Sequence, residues 1–216
     1  MREPKQERAR ETRRRILNAA AVVFAKNGYA ASAVEDVLKE SGTTRGALYF
    51  HFASKEDLAK AVIEEQTRLL PPHAVDCPLQ AAIDASHFMA RELQNNPMMQ
   101  AGVRLVIEGS FTAPATQPYR EWTDIACSLL EKAQSDGIVL KHINPRRTAE
   151  LIIGCFTGIQ LLSETLNGRA DLPQRVTDLW EHILPGLGAP YVLPRIDPRG
   201  TSAPQRHNSA ERVGVE

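Results

Sequence analysis

Apolar residues recur along most of the chain at intervals of three and four, the spacing of one helix face. Ile16, Leu17, Ala20 and Phe24 define a helix over residues 7–27, and Gly28 is suited to end it. Ser32 stands three residues before Glu35, a capping-box pattern. It opens a second helix that turns Val34, Val37 and Leu38 inward and stops near Ser41 and Gly42. Thr43 or Thr44 caps a short third helix running through about Phe50. Ser54, followed by Glu56 and Asp57, starts a fourth, with acidic groups at the favourable end of the helix dipole. That helix reaches about Leu70, where Pro71-Pro72 ends it. Further helices are predicted over residues 78–95, from Pro97 past Val106, and over 119–135, 145–166 and 173–187, with 112–118 a loop. Period-two alternation never persists, so no strand is expected and the fold class is all-α. Residues 194–216 hold three prolines, two glycines and little to bury, and read as a disordered tail.

Composition changes this picture in one respect. The 216 residues carry 26 basic and 26 acidic side chains, a formal net charge of zero that by itself argues against a polyanionic partner. The charges are unevenly spread: residues 1–55 hold 11 basic against 6 acidic side chains, and the remainder carries the opposite excess. A basic head on an acidic body points to two tasks, the head facing a polyanion. Three scattered cysteines make no disulfide framework and read as reduced thiols in a cytoplasmic protein. No stretch approaches the ~20 apolar residues of a membrane helix, and the charged N-terminus does not read as a secretory signal.

The segment Ser32 to Phe52, SAVEDVLKESGTTRGALYFHF, places two short helices about a glycine turn, the layout of a helix-turn-helix. In that motif the first helix braces the second, whose N-terminal residues enter a DNA major groove. Arg45 can reach a guanine edge or a phosphate, Thr44 a phosphate or a thymine methyl, and Gly46 and Ala47 let the backbone approach. Tyr49 lies one turn past Arg45 on the same face and can bond a phosphate. His51 reads as a phosphate neighbour or a cap, Phe50 and Phe52 as core aromatics.

The run GTTRGALYFHFASKEDLAKAV resembles the signature of the TetR family of bacterial repressors. The helix carrying Ile16, Leu17, Ala20 and Phe24, with its Gly28-Tyr29 exit, fits that family's first helix. The wording is closer still to the γ-butyrolactone receptor branch of Streptomyces, through GALYFHF and SKEDLA, through Ala101-Gly102-Val103-Arg104-Leu105, through Tyr119 and Trp122, and through Cys155 to Gln160. The sequence departs at Thr43, where valine is usual, and at Arg45, where these receptors usually have lysine. The resemblance implies a helix-turn-helix head over residues 1–53 and a ligand-binding and dimerisation body over 54–193. The DNA contacts expected are Arg13, Arg14, Ser32, Thr43, Thr44, Arg45, Gly46, Tyr49, His51 and Lys55. The partners implied are double-stranded palindromic operator DNA, a second copy of the chain and a small hydrophobic signal, with no cofactor, metal or membrane, in a cytoplasmic repressor associated with the nucleoid.

A small hydrophobic signal needs an apolar cavity with a few polar groups to orient it. The resemblance makes Trp122 a cavity wall. Gln66 can donate and accept towards a lactone carbonyl or hydroxyl. Thr157 and Gln160 share one face of an otherwise apolar helix. Val62, Leu69, Phe88, Leu105, Ile125 and Phe156 are the apolar lining expected, and Trp180 reads as core or dimer face. Two other readings stay open: the same repressor answering an antibiotic or other metabolite, and, remotely, a metal-carboxylate helical enzyme built on Asp84-x-x-His87. No P-loop, dinucleotide glycine pattern or nucleophile elbow appears, which points away from catalysis.

Overall fold

The computed structural model describes residues 3–68, 77–109 and 116–201. Among these the chain forms α1 (Glu3–Ala31), α2 (Val34–Ser41), α3 (Arg45–His51), α4 (Lys55–Arg68), α5 (Pro78–Asn95), α6 (Pro97–Glu108), α7 (Thr116–Ser135), α8 (Pro145–Asn167) and α9 (Leu172–Leu187). A 3₁₀ turn, Leu193–Arg195, follows. No strand occurs among the described residues; Val139 and Gly188 make one isolated bridge. The all-α expectation holds.

Local chemistry explains most boundaries. Helix α1 breaks at Gly28, whose φ of 74° and ψ of −178° are closed to other residues at low cost, and the chain then winds on to Ala31. Pro at the first turn opens α5, α6 and α8, where the missing N–H would be unsatisfied in any case. Asn96 and Asn144 accept the N–H groups of Met98 and Arg147 at 2.9 and 3.0 Å. The cap of α2 sits one residue later than expected and is only half a capping box, since alanine has no side-chain acceptor. Ala33 is the cap and its N–H donates to Asp36 Oδ2 at 3.1 Å. Ser32 is instead buried and donates to the Gly28 carbonyl at 2.5 Å, tying off the break in α1.

Two apolar clusters share the molecule. One joins α1–α4 around Ile16, Phe24, Leu48 and Leu58 and takes in Met98, Ala101 and Leu105 from α6. The other joins α5–α9 around Leu79, Leu93, Leu130, Leu172 and Trp180. Helix α6 therefore serves both: Leu105 faces the head, Val103 the body. Its polar end clasps α1. Arg104 donates to the Ala25 and Lys26 carbonyls at 2.9 and 3.1 Å and to Glu108 at 2.9 Å, while Glu108 accepts the Tyr29 N–H at 2.7 Å.

The tail expectation is corrected. Residues 194–201 fold back on α5. Ile196 is buried in the body core, Asp197 exchanges two backbone hydrogen bonds with the Gln80 amide, the Thr201 N–H donates to Asp84, and His87 bonds the Pro198 carbonyl at 2.9 Å. The low apolar content of 194–216 as a whole hid the few residues at its start that pack. Residues 202–216 lie outside the described residues.

Candidate DNA-binding head and ligand cavity

In the head, the turn of Gly42, left-handed at φ 62°, sets α3 against α2, and Thr44 caps α3 by accepting the Ala47 N–H at 3.2 Å. Leu48 and Phe52 anchor α3 in the core. The opposite face is bare: Thr44, Arg45, Gly46 and Tyr49 are exposed. Arg45 pairs with Glu35, both side chains being well exposed, so the pair contributes ~1 kcal/mol or less and yields readily to a stronger partner. A Cβ built on Gly46 would meet no atom within 4 Å. Internal packing therefore gives no reason for glycine there. Thr43 shares a hydrogen bond with Ser41 at 2.7 Å.

The remaining expected DNA contacts scatter. The Arg13 guanidinium lies 5.0 Å from the Phe52 ring centroid and Lys55 Nζ 4.3 Å from that of Tyr29. Burial lowers the Lys55 pKa from its ordinary value. Arg14 shares a shallow polar depression with Glu40 of α2. Ser32 is buried and presents no surface to DNA, a correction that follows from its bond to Gly28. Phe50, expected in the core, is 79% exposed and meets His51 edge-on with ring centroids 5.0 Å apart. The short α3 buries one stripe only, and Leu48 and Phe52 fill it.

In the body, α5, α6, α7 and α8 surround a cavity with about 900 Å³ of empty space, part of it open to solvent. Trp122, Ile125, Phe156, Thr157 and Gln160 line it as expected. Val62 and Leu105 do not: both belong to the head core. Phe88 is half-buried outside the wall, and Met89, one residue and 100° further round α5, takes the place assigned to it. Val103 does the same for Leu105 on α6. Gln66 is wholly buried between α4 and α6, pressed so close to Gly102 that a Cβ there would lie 2.6 Å from its side chain. It is not part of the cavity wall. Leu69 lies outside the described residues. The lining residues missed, among them Met89, Tyr119 and Ala126, follow the three-four spacing of α5 and α7, which shows a shared face without saying what the face encloses.

Buried polar atoms without a hydrogen-bond partner occur in the wall and also at Gln66, whose two amide atoms have none. Two tryptophans make the contrast. Trp180 is fully buried and its Nε1 donates to Ser86 Oγ at 2.8 Å, which settles it as core. Trp122 packs edge-on to Tyr119 with centroids 5.4 Å apart, and its Nε1 is buried without a hydrogen-bond partner. Gln160 Nε2 is in the same condition. Buried N–H groups are rarely left so, and each asks for an acceptor. Thr157 donates to the Ile153 carbonyl at 2.9 Å, so its proton is already committed.

The enzyme alternative loses its residues. Asp84 accepts from Gln80 and Thr201, and His87 is buried against Pro198 and Gly200. Among the described residues no group of three His, Cys, Asp or Glu is placed to hold a metal. The three cysteines are free.

Known proteins carry the same plan. Residues 16–62 match the family model of bacterial regulatory proteins of the TetR family, and residues 77–189 match the tetracyclin repressor-like C-terminal domain. The A-factor receptor protein of Streptomyces griseus is 43% identical over 98% of this chain and 77% of its own length. The crystal structure of TylP, a TetR regulator from Streptomyces fradiae, superposes with a TM-score of 0.79 at 40% identity, covering 88% of this chain and 93% of that one. A γ-butyrolactone receptor described as ArpA-like gives a TM-score of 0.72 at 29% identity over 87% and 93%. These likenesses make this chain a member of the TetR family of bacterial regulatory proteins, a ligand-responsive repressor in the branch of the Streptomyces A-factor and γ-butyrolactone receptors, and the exposed face of α3 and the partly open apolar cavity fit that plan.

Proposed function

We propose that the chain binds a palindromic operator as a homodimer in the cytoplasm, at the nucleoid, and is released by a γ-butyrolactone-type signal controlling secondary metabolism. The observation that carries this reading is the cavity itself: an apolar, partly open chamber lined by Trp122 and Gln160, each with a buried N–H that has no partner, sharing α6 with the head. The likeness to a γ-butyrolactone receptor supports a lactone as the signal. In the head, Thr44, Arg45, Gly46 and Tyr49 would read and grip the major groove, and Arg13 the flanking phosphates.

An exposed apolar stripe on α8 supports dimerisation through that helix. Leu151, Leu162 and Leu166 stand 58%, 50% and 63% exposed along one stripe with Gly158 between them. Contrary to the reading of the sequence, α8 is by length and composition apolar enough to cross a membrane, at mean hydropathy 1.2, and only 22% of its most apolar stretch is buried. Its other side packs on α7 and α9 and buries Ala149, Ile152, Gln160 and Ser163, so the apolar surface is one-sided, which suits a second copy of the chain better than lipid. Ligand and operator are linked because the cavity wall and the head core share α6. A ligand shifts the equilibrium only by binding the released arrangement more tightly.

The test is a gel shift of the protein on the DNA upstream of its own gene, challenged with extract of the source culture and with synthetic 2-acyl-γ-butyrolactones. Release by extract and by a butyrolactone is expected. Release by extract alone, traced by mass spectrometry to a different metabolite, would favour the antibiotic-sensing reading.

A further inference from the structure

Arg169 is, among the described residues, the non-glycine position with a left-handed backbone, φ 68°. It follows Gly168 beyond the end of α8, and it is 6% exposed. Such a conformation is strained for a side chain of this size, and a buried guanidinium must find acceptors. The surroundings hold it in place. Gln94 Nε2 donates to the Arg169 carbonyl at 2.7 Å, and Glu164 Oε2 accepts from Arg169 Nη2 at 2.5 Å. In the same turn Asp171 accepts from Ser163 at 2.6 Å and from Arg175 at 2.8 Å.

The remaining acceptor is Gln160 Oε1, 3.4 Å from Arg169 Nε and 3.2 Å from Nη2. A guanidinium only donates, so the amide end that faces it must be oxygen, and the choice between the two amide orientations is made by chemistry. The nitrogen then points the other way. It is buried, on a residue that lines the cavity and is 1% exposed, and it has no partner. Trp122 Nε1, the other unpartnered polar atom of the wall, is also a pure donor. The two fully buried, unpartnered polar atoms on residues of the wall are therefore both N–H groups.

We propose that Arg169 is a positioning residue that fixes Gln160 as an N–H donor, so that the cavity selects ligands whose polar end only accepts, such as an ester or lactone, over equal chains ending in a hydroxyl, whose own proton meets a donor there, or in nothing. The inference rests on the cavity being the ligand site. It reaches a residue that lies outside the wall and selects through the orientation of another side chain.

The probes are γ-octalactone, 1-octanol and n-octane, titrated into the full-length protein by calorimetry and by tryptophan fluorescence. The wild type is expected to hold the lactone at least tenfold tighter than the alcohol, with the alkane weakest. Arg169→Lys, which still donates, keeps that order. Arg169→Met frees the amide to turn and shrinks the lactone preference to less than threefold while leaving alcohol binding within threefold. Gln160→Glu presents oxygen to the cavity and reverses the order, which keeps the test alive should Arg169→Met not fold. A wild type with no lactone preference, an equal loss of both probes in Arg169→Met, or an unreversed preference in Gln160→Glu overturns the proposal. Failure of the wild type to bind any of the three defeats the cavity as ligand site, and this inference with it, whereas binding without preference defeats this inference alone.

Discussion

The head and the body solve opposite problems with the same kind of helix. In the head, function lies on the outside: α3 uses Leu48 and Phe52 to hold on and leaves Thr44, Arg45, Gly46, Tyr49 and Phe50 uncovered. In the body, the proposed ligand site lies inside, where Trp122 and Gln160, each with an unpartnered N–H, line an apolar cavity. A surface site needs only a rigid frame and the right side chains at its rim. An internal site needs a deliberate gap in a core that otherwise packs to full density. The difference teaches that the head should be sensitive to charge and salt, and the body to shape and to donor–acceptor matching.

The sharpest break between the two regions should appear on adding salt. The basic head neutralises several phosphates, so operator affinity should fall ~10³-fold or more between low and moderate salt, while a neutral lactone should bind almost unchanged. Gel shifts and calorimetry over one salt series measure both, and a flat operator response would remove the head from the electrostatic account.

Truncation after Leu193 tests how far the body extends. It removes buried Ile196 and the bonds from Asp197, Pro198 and Thr201 to α5, a loss of ~2–4 kcal/mol from burial and hydrogen bonding together. Tm should drop by roughly 5–10 °C. Truncation after Thr201 is the control, and equal melting of the two shortened chains would show that the strap contributes nothing.

The tryptophan pair divides core from cavity. Trp180→Ala should cost ~3–5 kcal/mol of stability. Trp122→Ala should instead weaken ligand binding at least tenfold, from ~1.5–3 kcal/mol of lost aromatic contact, and leave a repressor that holds DNA but is not released. Loss of operator binding in Trp122→Ala together with a large fall in Tm would place that residue in the core.

Within the head, Arg45→Ala should cost ~1–3 kcal/mol on the operator if the residue reads a guanine. An identical loss on random DNA would reduce it to a phosphate contact.

The smallest effect expected is one of pH. Burial pushes the His87 imidazole below the ordinary histidine range, and Arg91 acts in the same direction, against the Pro198 carbonyl, Asp84 and Asp197. The unfolded chain therefore takes up the proton first. Stability is fully present above the unfolded pKa, ~6.5, and declines as pH falls from there towards the depressed folded value. Tm of the wild type between pH 7.5 and 5.5 should fall more than that of His87→Gln, and parallel profiles would separate the strap from this histidine.

What the sequence determined by itself is local. Helix-face spacing, prolines at first turns and the glycine at residue 42 set α1–α9, because each depends on residues within one or two turns. The motif from Gly42 to Val62 carries the recognition helix for the same reason: its working residues are adjacent in the chain. Tertiary structure decided the rest. Whether Phe88 or Met89, Leu105 or Val103, meets the cavity turns on how each helix is rotated against its neighbours, a matter of packing between residues far apart in sequence. Ser32 looked like a cap and became a buried tie because the chain winds three residues past Gly28. The strap at 194–201 gains its few buried groups only by lying on α5, and Arg169 fixes the Gln160 amide only because the turn after α8 folds it back on its own helix. A charge or a proline acts where it stands, whereas an empty cavity and the direction of an amide exist only once the walls have met.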